Sequence, residues 1–427
     1  MAVRIPVPLA VLFPGLVWSC FGQAAPKPAI PINYDETLVG TYQLPDPLVL
    51  ANGKPVRDAK TWYKKRRPEL VQLFETYQYG RCPAKPKGLS FDVFDKGTPS
   101  FDGKAIRKQI EIHFSPRPSA PKADLAMYLP ADAKKPVPLL LYISFSANST
   151  TIEDPGLRAG EIWNREKKRV PASQGRRFGT LKVEDFLRAG FGIATIYYGD
   201  IEPDFAGGAP FGVRGLFLKP DQTEPAPDEW GAIAAWGWAL SRAMDYLETD
   251  SGVDSKRVAI AGVSRLGKTV LWAGARDTRF AMVIASCSGE GGAALSRRNY
   301  GETVKNLNVH FPYQFAENYQ KFGDHVDQLP VDSNLLLALI APRPLYLSTG
   351  SEDRWSDPKG EFLAAVAAGP VYKLLGKHGL DTDQMPAAGE PIMHTIGFHM
   401  HAGGHGATPY DWEQYLKFMK MHFDVSP

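Results

Sequence analysis

Cysteine is almost missing from this 427-residue sequence: there are three, Cys20, Cys82 and Cys287. A scaffold built on disulfides is thereby excluded, and a hydrophobic core must carry the stability. Charge of one sign is missing too. Lys and Arg total 49 against 46 Asp and Glu, spread without a basic block, so the electrostatic footprint of a nucleic-acid binder is absent. No apolar run is long enough to span a bilayer, and there is neither an internal repeat nor a low-complexity tract. What remains is a globular composition at a length that α/β enzymes fill as one unit with insertions.

The longest apolar stretch, "VPLAVLFPGLVW", follows Arg4 and ends near "SCFGQAAP". A positive start, a short apolar segment and small residues at Ala24 and Ala25 predict a secretory signal peptide over residues 1–25, hence a secreted or periplasmic bacterial protein. The alternative, lipidation at Cys20, meets the bulky neighbour Trp18; without it no stable membrane partner is expected. The mature chain, 26–427, keeps Cys82 and Cys287, either bridged to each other or both free. It reads as one catalytic domain, expected to be monomeric, with a proline-rich extended arm ahead of it.

"DAKTWYKKRRPELVQLFETYQYG" predicts a helix with Leu70, Leu73, Phe74 and Tyr77 on one face and Gly80 as its stop. "LSFDVFDKG" and "IRKQIEIHFS" alternate as antiparallel edge strands do. From about residue 137 the pattern changes. "VPLLLYISFS", "FGIATIYYG", "RVAIAGVS", "FAMVIASCS" and "RPLYLSTG" are apolar without alternation, as strands buried on both faces are, and helical segments separate them. The prediction is an α/β fold: a mostly parallel sheet between two helical layers. Residues 148–180 and 201–228, rich in Gly, Pro and charge, are too long for plain connections and are expected to wall a cleft.

"VAIAGVSRLGKTVLW" fits two motifs. From Gly262 it is Gly-x-x-x-x-Gly-Lys-Thr, a phosphate-loop pattern; around Ser264 it is a strand, a sharp turn and a helix, the setting of a nucleophilic serine. The phosphate loop lacks further glycines between its anchors and a later strand ending in a magnesium-binding Asp, so no nucleotide is expected. The elbow needs an acid and then a histidine, each after a later strand. "RPLYLSTGSEDRW" supplies Asp353, with Glu352 and Asp357 as fallbacks, and "GFHMHAGGHGATP" supplies His405.

In this arrangement His405 takes the Ser264 proton as the serine attacks an ester carbonyl, and Asp353 orients the imidazole. The Arg265 amide and guanidinium can face the oxyanion. A serine between strand and helix is also a common N-cap, and the ordered acid and histidine weigh against that plainer role. His394, His399, His401 and His405 could suggest a metal cluster. With His399 and His401 on one strand face and no Cys or acidic ligand expected to join them, neither metal nor cofactor is predicted.

The segments "GVSRLGK", "SGEGGAALSRRNYGE", "FPYQFAENYQKF", "LPVDSNLLLALIAPRPLYLSTGSEDRWSDPKGE" and "GGHG" resemble, in order, those of the glucuronoyl esterases, carbohydrate esterase family fifteen, and of their bacterial branch above all. The resemblance covers residue 40 to the end. It implies an α/β-hydrolase that cleaves esters between the (4-O-methyl-)glucuronic acid side groups of glucuronoxylan and lignin alcohols. It implies Ser264 as nucleophile, Arg265 as oxyanion donor and His405 as base. Fungal relatives carry a catalytic Glu where Cys287 stands here, which favours Asp353. By the same resemblance Lys268, Glu302 and Trp355 contact the sugar; Glu290 is expected to line the cleft, and Gln314 either to reach the substrate or to have an ordinary surface role. Two other functions share the sequence features: an acetyl xylan esterase or general carboxylesterase on the same triad, and an inactive carbohydrate-binding homologue.

Overall fold

The computed structural model describes residues 30–175 and 181–425. The signal-peptide reading of residues 1–25, with Cys20, lies outside the described residues. Ten strands make the main sheet: β1 (Ser90–Ser100), β2 (Ala105–His113), β3 (Lys122–Pro130), β4 (Val137–Ser144), β5 (Gly192–Tyr197), β6 (Val253–Val263), β7 (Met282–Ser286), β8 (Leu345–Gly350), β9 (Ile392–Met393) and β10 (Ile396–His401). Their spatial order is β1-β2-β3-β5-β4-β6-β7-β8-β10-β9. The centre, from β5 through β10, is parallel. β1, β2 and β3 join it antiparallel on one side and β9 on the other.

Apolar runs without alternation form these strands because both faces are covered. In β6, Val258 and Ile260 enter one hydrophobic cluster while Ala259 and Ala261 enter another; in β4, Leu139 and Leu141 go one way and Leu140 the other. The helices that complete the layers include α1 (Arg67–Tyr77), α2 (Val183–Arg188), α3 (Ala232–Leu247), α4 (Arg265–Arg276), α5 (Pro358–Leu374) and α6 (Pro409–Phe423). Residues of α1, α3, α4 and α5 pack in the first cluster, and those of α2 and α6 in the second. This three-layer α/β arrangement agrees with the sequence prediction. Among the described residues no helix is long and apolar enough to cross a membrane.

Local departures have local causes. The predicted first helix is interrupted by a π-helical turn at Trp62–Arg66, which ends two residues before Pro68, a residue with no N–H to continue a regular ladder. Leu70 and Phe74 are fully buried, each contributing about 1.5–3 kcal/mol, whereas Leu73 and Tyr77 are half-buried. β3 is covered on both faces, so its apolar residues lack the alternation that marks an antiparallel edge strand. Cys82 and Cys287 are free thiols, which settles the open choice between bridged and unbridged.

Candidate active site

The strands β6, β8 and β10 run parallel, so the segments leaving their carboxyl ends share one edge of the sheet. Ser264 stands at the first of these, between β6 and α4, with φ 59° and ψ −129°. A side-chain-bearing residue pays about 1–3 kcal/mol for such a conformation, so the surroundings must hold it there. They do so through backbone: Ser264 N–H donates to Ser286 O at 2.8 Å, and Ser264 O accepts from Lys268 N at 3.1 Å. Gly262 allows the turn, since a Cβ there would collide with the backbone of Leu266. The Ser264 side chain does not cap the helix, although it occupies the N-cap position. Its hydroxyl is thus not spent on the helix start, whose first amides have no partner within the helix.

The polar groups of the phosphate-loop pattern are committed elsewhere. Lys268 is buried, with Nζ 3.6 Å from Glu302 Oε2, and Thr269 Oγ1 donates to Arg265 O at 2.9 Å.

His405 lies in the turn after β10 and bonds Asp353 Oδ2 through Nδ1 at 2.7 Å; Ser356 Oγ lies 3.3 Å from the same nitrogen. Asp353 is buried, whereas the imidazole is 43 % exposed at its side chain. Burial works against the Asp353 charge, but the hydrogen bond and charge of His405 outweigh it and hold the carboxyl below its ordinary value. With Nδ1 occupied, Nε2 is the nitrogen that can accept a proton. The turn is pinned from two sides. Glu352 N–H donates to Gly403 O at 2.8 Å, and Gly406 N–H donates to Cys287 Sγ at 3.5 Å. Gly350 must be glycine, because a Cβ there would strike Gly404 O. Cys287 itself is buried, and burial pushes its thiol up to about 12. Of the two fallback acids, Glu352 is exposed and Asp357 is buried against Arg298, its Oδ2 2.8 Å from Nε.

Arg265 points its guanidinium at Asp204, which comes from the insertion at 201–228, and packs over the Phe311 ring at 5.0 Å. Asp204 Oδ1 also accepts from Tyr313 Oη and Gln314 Nε2, each at 2.8 Å. Burial opposes the Arg265 charge, yet Asp204 overcomes it and raises the guanidinium above its ordinary value. Sequence reasoning missed Asp204. Its only signal was its place in a long Gly- and Pro-rich insertion already assigned to the cleft wall.

Of the expected sugar contacts, Lys268 and Glu302 are brought together, and Glu302 N–H donates to the carbonyl of half-buried Trp355 at 2.9 Å. Two others are corrected. Glu290 does not line the cleft: it is buried and accepts from Ser296 Oγ at 2.6 Å and Tyr319 Oη at 3.1 Å, and burial pushes it up to about 8. Gln314 is likewise buried, its amide committed to Asp204, so it supports Arg265 from behind.

A further correction concerns His399 and His401, which an acid does join. Asp411 Oδ1 lies 2.6 Å from His399 Nε2 and 3.0 Å from His401 Nδ1. Every other polar atom of this buried group is also engaged: His399 Nδ1 with Tyr346 Oη at 2.8 Å, His401 Nε2 with Gly404 O at 2.9 Å, and Asp411 Oδ2 with Thr408 Oγ1 at 2.6 Å. A saturated hydrogen-bond network needs no ion to satisfy it.

The chain is similar to proteins already known. A family model described as glucuronyl esterase, fungi, matches residues 225–376. A carbohydrate esterase of an unknown prokaryotic organism is 46% identical over 398 residues, covering 91% of this chain and 92% of that one. A 4-O-methyl-glucuronoyl methylesterase of Podospora anserina is 28% identical over 323 residues, covering 73% of this chain and 56% of that one. Among solved structures, a glucuronoyl esterase from Solibacter usitatus is 50% identical with a TM-score of 0.87, covering 91% of this chain and 100% of the other. A promiscuous esterase of carbohydrate esterase family 15 from a marine bacterial metagenome is 45% identical with a TM-score of 0.84, covering 92% and 100%.

Proposed function

Since this chain belongs to the glucuronoyl esterases of carbohydrate esterase family 15, and so to the carboxylic ester hydrolases, we propose that it cleaves esters of (4-O-methyl-)glucuronic acid side groups of glucuronoxylan with lignin alcohols, through a Ser264–His405–Asp353 triad. What supports this reading is that one sheet edge carries a strained, uncapped Ser264, a His405 bonded to Asp353, and an arginine anchored by Asp204.

In the first step the Ser264 Oγ–carbonyl bond forms while His405 Nε2 takes the hydroxyl proton, and Asp353 stabilises the imidazolium. The developing oxyanion is met by the Arg265 amide at the helix start and by the guanidinium. Each such donor contributes about 3–4 kcal/mol to the transition state. Collapse breaks the ester C–O bond, and the imidazolium passes its proton to the departing alcohol. Water, deprotonated by the same nitrogen, then releases the uronate. Lys268 and Glu302 offer a donor and an acceptor to ring hydroxyls, and the Trp355 indole offers an apolar face.

Next to Asp204, the insertions bring Trp163, Phe205 and Phe211 together, with centroids 5.4 Å and 5.9 Å from Trp163. Phe205 follows Asp204 directly, and Phe211 is 60% exposed. This wall supports an aromatic alcohol as the leaving group. Secretion belongs to the same reading and rests on residues 1–25.

The test is hydrolysis of benzyl glucuronate by the mature protein beside Ser264→Ala, with acetylated xylan as the competitor. Benzyl alcohol release by the parent alone supports the reading. Dominant acetate release would move it to a broader carboxylesterase, an outcome the promiscuous relative keeps open. No turnover, with no labelling of Ser264 by a phosphonate probe, would leave a binding protein.

A further inference from the structure

The extended arm ahead of α1 makes contacts that the catalytic reading does not use. Three of its residues, Asn33, Tyr34 and Glu36, touch two segments that are far apart in sequence. Toward residues 298–301, Asn33 O accepts from Gly301 N at 2.9 Å, Asn33 Nδ2 donates to Asn299 O at 2.6 Å, and the Tyr34 ring meets Tyr300 edge-on at 6.0 Å. Toward residues 354–359, Arg354 bonds Tyr34 O and lies over its ring at 4.5 Å, and Lys359 Nζ donates to Glu36 Oε2 at 2.9 Å. Glu36 bridges the two, because its other oxygen pairs with Arg298, whose Nε reaches Asp357 at 2.8 Å.

These loops are the ones that end in Glu302 and begin at Asp353 and Trp355. They meet at the Glu302 N–H to Trp355 O bond, beside Gly301, whose φ is +64° and whose Cβ would collide with Trp355 O at 2.6 Å. Two more bonds link the same segments, Arg354 Nε to Tyr300 Oη at 3.2 Å and Arg298 Nε to Asp357 Oδ2 at 2.8 Å, and Arg354, Tyr300 and Arg298 are the residues that the arm holds. The arm adds contacts on the outer side of both loops.

We propose that Asn33–Glu36 is a strap that positions Glu302 and Trp355 against each other and thereby sets affinity for the uronate, leaving the bond-breaking step to the triad. This rests on the functional reading above in taking Glu302 and Trp355 as the sugar contacts. Glu36 and Tyr34 are positioning residues, since neither is placed on the substrate.

The experiment uses the mature chain carrying Tyr34→Ala with Glu36→Gln, beside Leu38→Ala, a change in the same arm at a residue 67 % exposed. Several weak surface contacts released together predict a KM for benzyl glucuronate raised about tenfold with kcat within about twofold. KM for 4-nitrophenyl acetate, which has no sugar to place, stays unchanged, and Leu38→Ala behaves as the parent. Amide exchange at Gly301 and Glu302 quickens in the double variant. Unchanged exchange overturns the strap whatever the substrate proves to be. Faster exchange with an unchanged glucuronate KM overturns its role in affinity. A parent that does not turn over benzyl glucuronate at all overturns the functional reading instead, and the exchange result then decides the strap alone.

Discussion

Asp204 is the residue whose removal tests the oxyanion argument most directly. Asp204→Asn keeps the size and the Oδ1 acceptor used by Tyr313 and Gln314, and replaces the charged oxygen that faces Arg265 with an amide NH2, which cannot accept from it. A hydrogen bond between charged groups contributes about 1.5–3 kcal/mol, which here goes into fixing one rotamer of a long side chain over Phe311. The upper bound on the effect is the whole donor, about 3–4 kcal/mol or 10²–10³ in rate. Arg265→Ala should reach that bound and Asp204→Asn about 10- to 100-fold, both in kcat, because the oxyanion exists only along the reaction path. The assay is steady-state hydrolysis of benzyl glucuronate by the parent, each single variant and the double variant. Asp204 acts through Arg265, so the double variant should be no slower than Arg265→Ala alone. If Asp204→Asn costs as much without the arginine as with it, Asp204 acts by another route and the reasoning is wrong.

Three other outcomes follow from burial and backbone. Glu361 is buried, accepts from Gly289 N at 2.7 Å, and is pushed by burial up to about 8 from 4.5. Between those values the unfolded chain has released a proton that the folded chain keeps, so stability falls as pH rises through this window. Glu361→Gln should gain Tm relative to the parent at pH 8 and not at pH 4, and equal shifts at both would refute it. Ser264→Gly should melt higher than Ser264→Ala, by about 1 kcal/mol in stability, because only glycine adopts φ 59° freely. Lys268→Met alone leaves Glu302 charged and buried, at a cost of about 3–5 kcal/mol, so Lys268→Met with Glu302→Gln should denature at higher urea than the single change.

The central sheet was readable because burial on both faces writes itself into a short apolar run, as in β4 and β6, and the helices between such runs follow from connection rules. β3 has the same apolar character without alternation, yet pairs antiparallel with β2 and β5, so composition alone could not place it. The chain order of Ser264, Asp353 and His405 was legible for a related reason. Each leaves a parallel strand at its carboxyl end, so order along the chain translates into proximity at one edge.

The acids behind these groups were not legible, each for its own physical reason. Asp204 meets Arg265 across 61 positions, from a segment whose path is set by its own packing, with Trp236 Nε1 bonded to Glu202 O and Tyr313 to Asp204. Asp411 is only 10 positions from His401, but its signal in the sequence is that of a helix start: Thr408 and Asp411 form a capping box. One of its oxygens serves that box, leaving the other for the histidines, so a residue fully explained by a local rule also holds a second, tertiary role. His401 then bonds the carbonyl next to His405. A pattern read along the chain assigns such a residue once, whereas the fold uses it twice, and the second use is the one that reaches the catalytic turn.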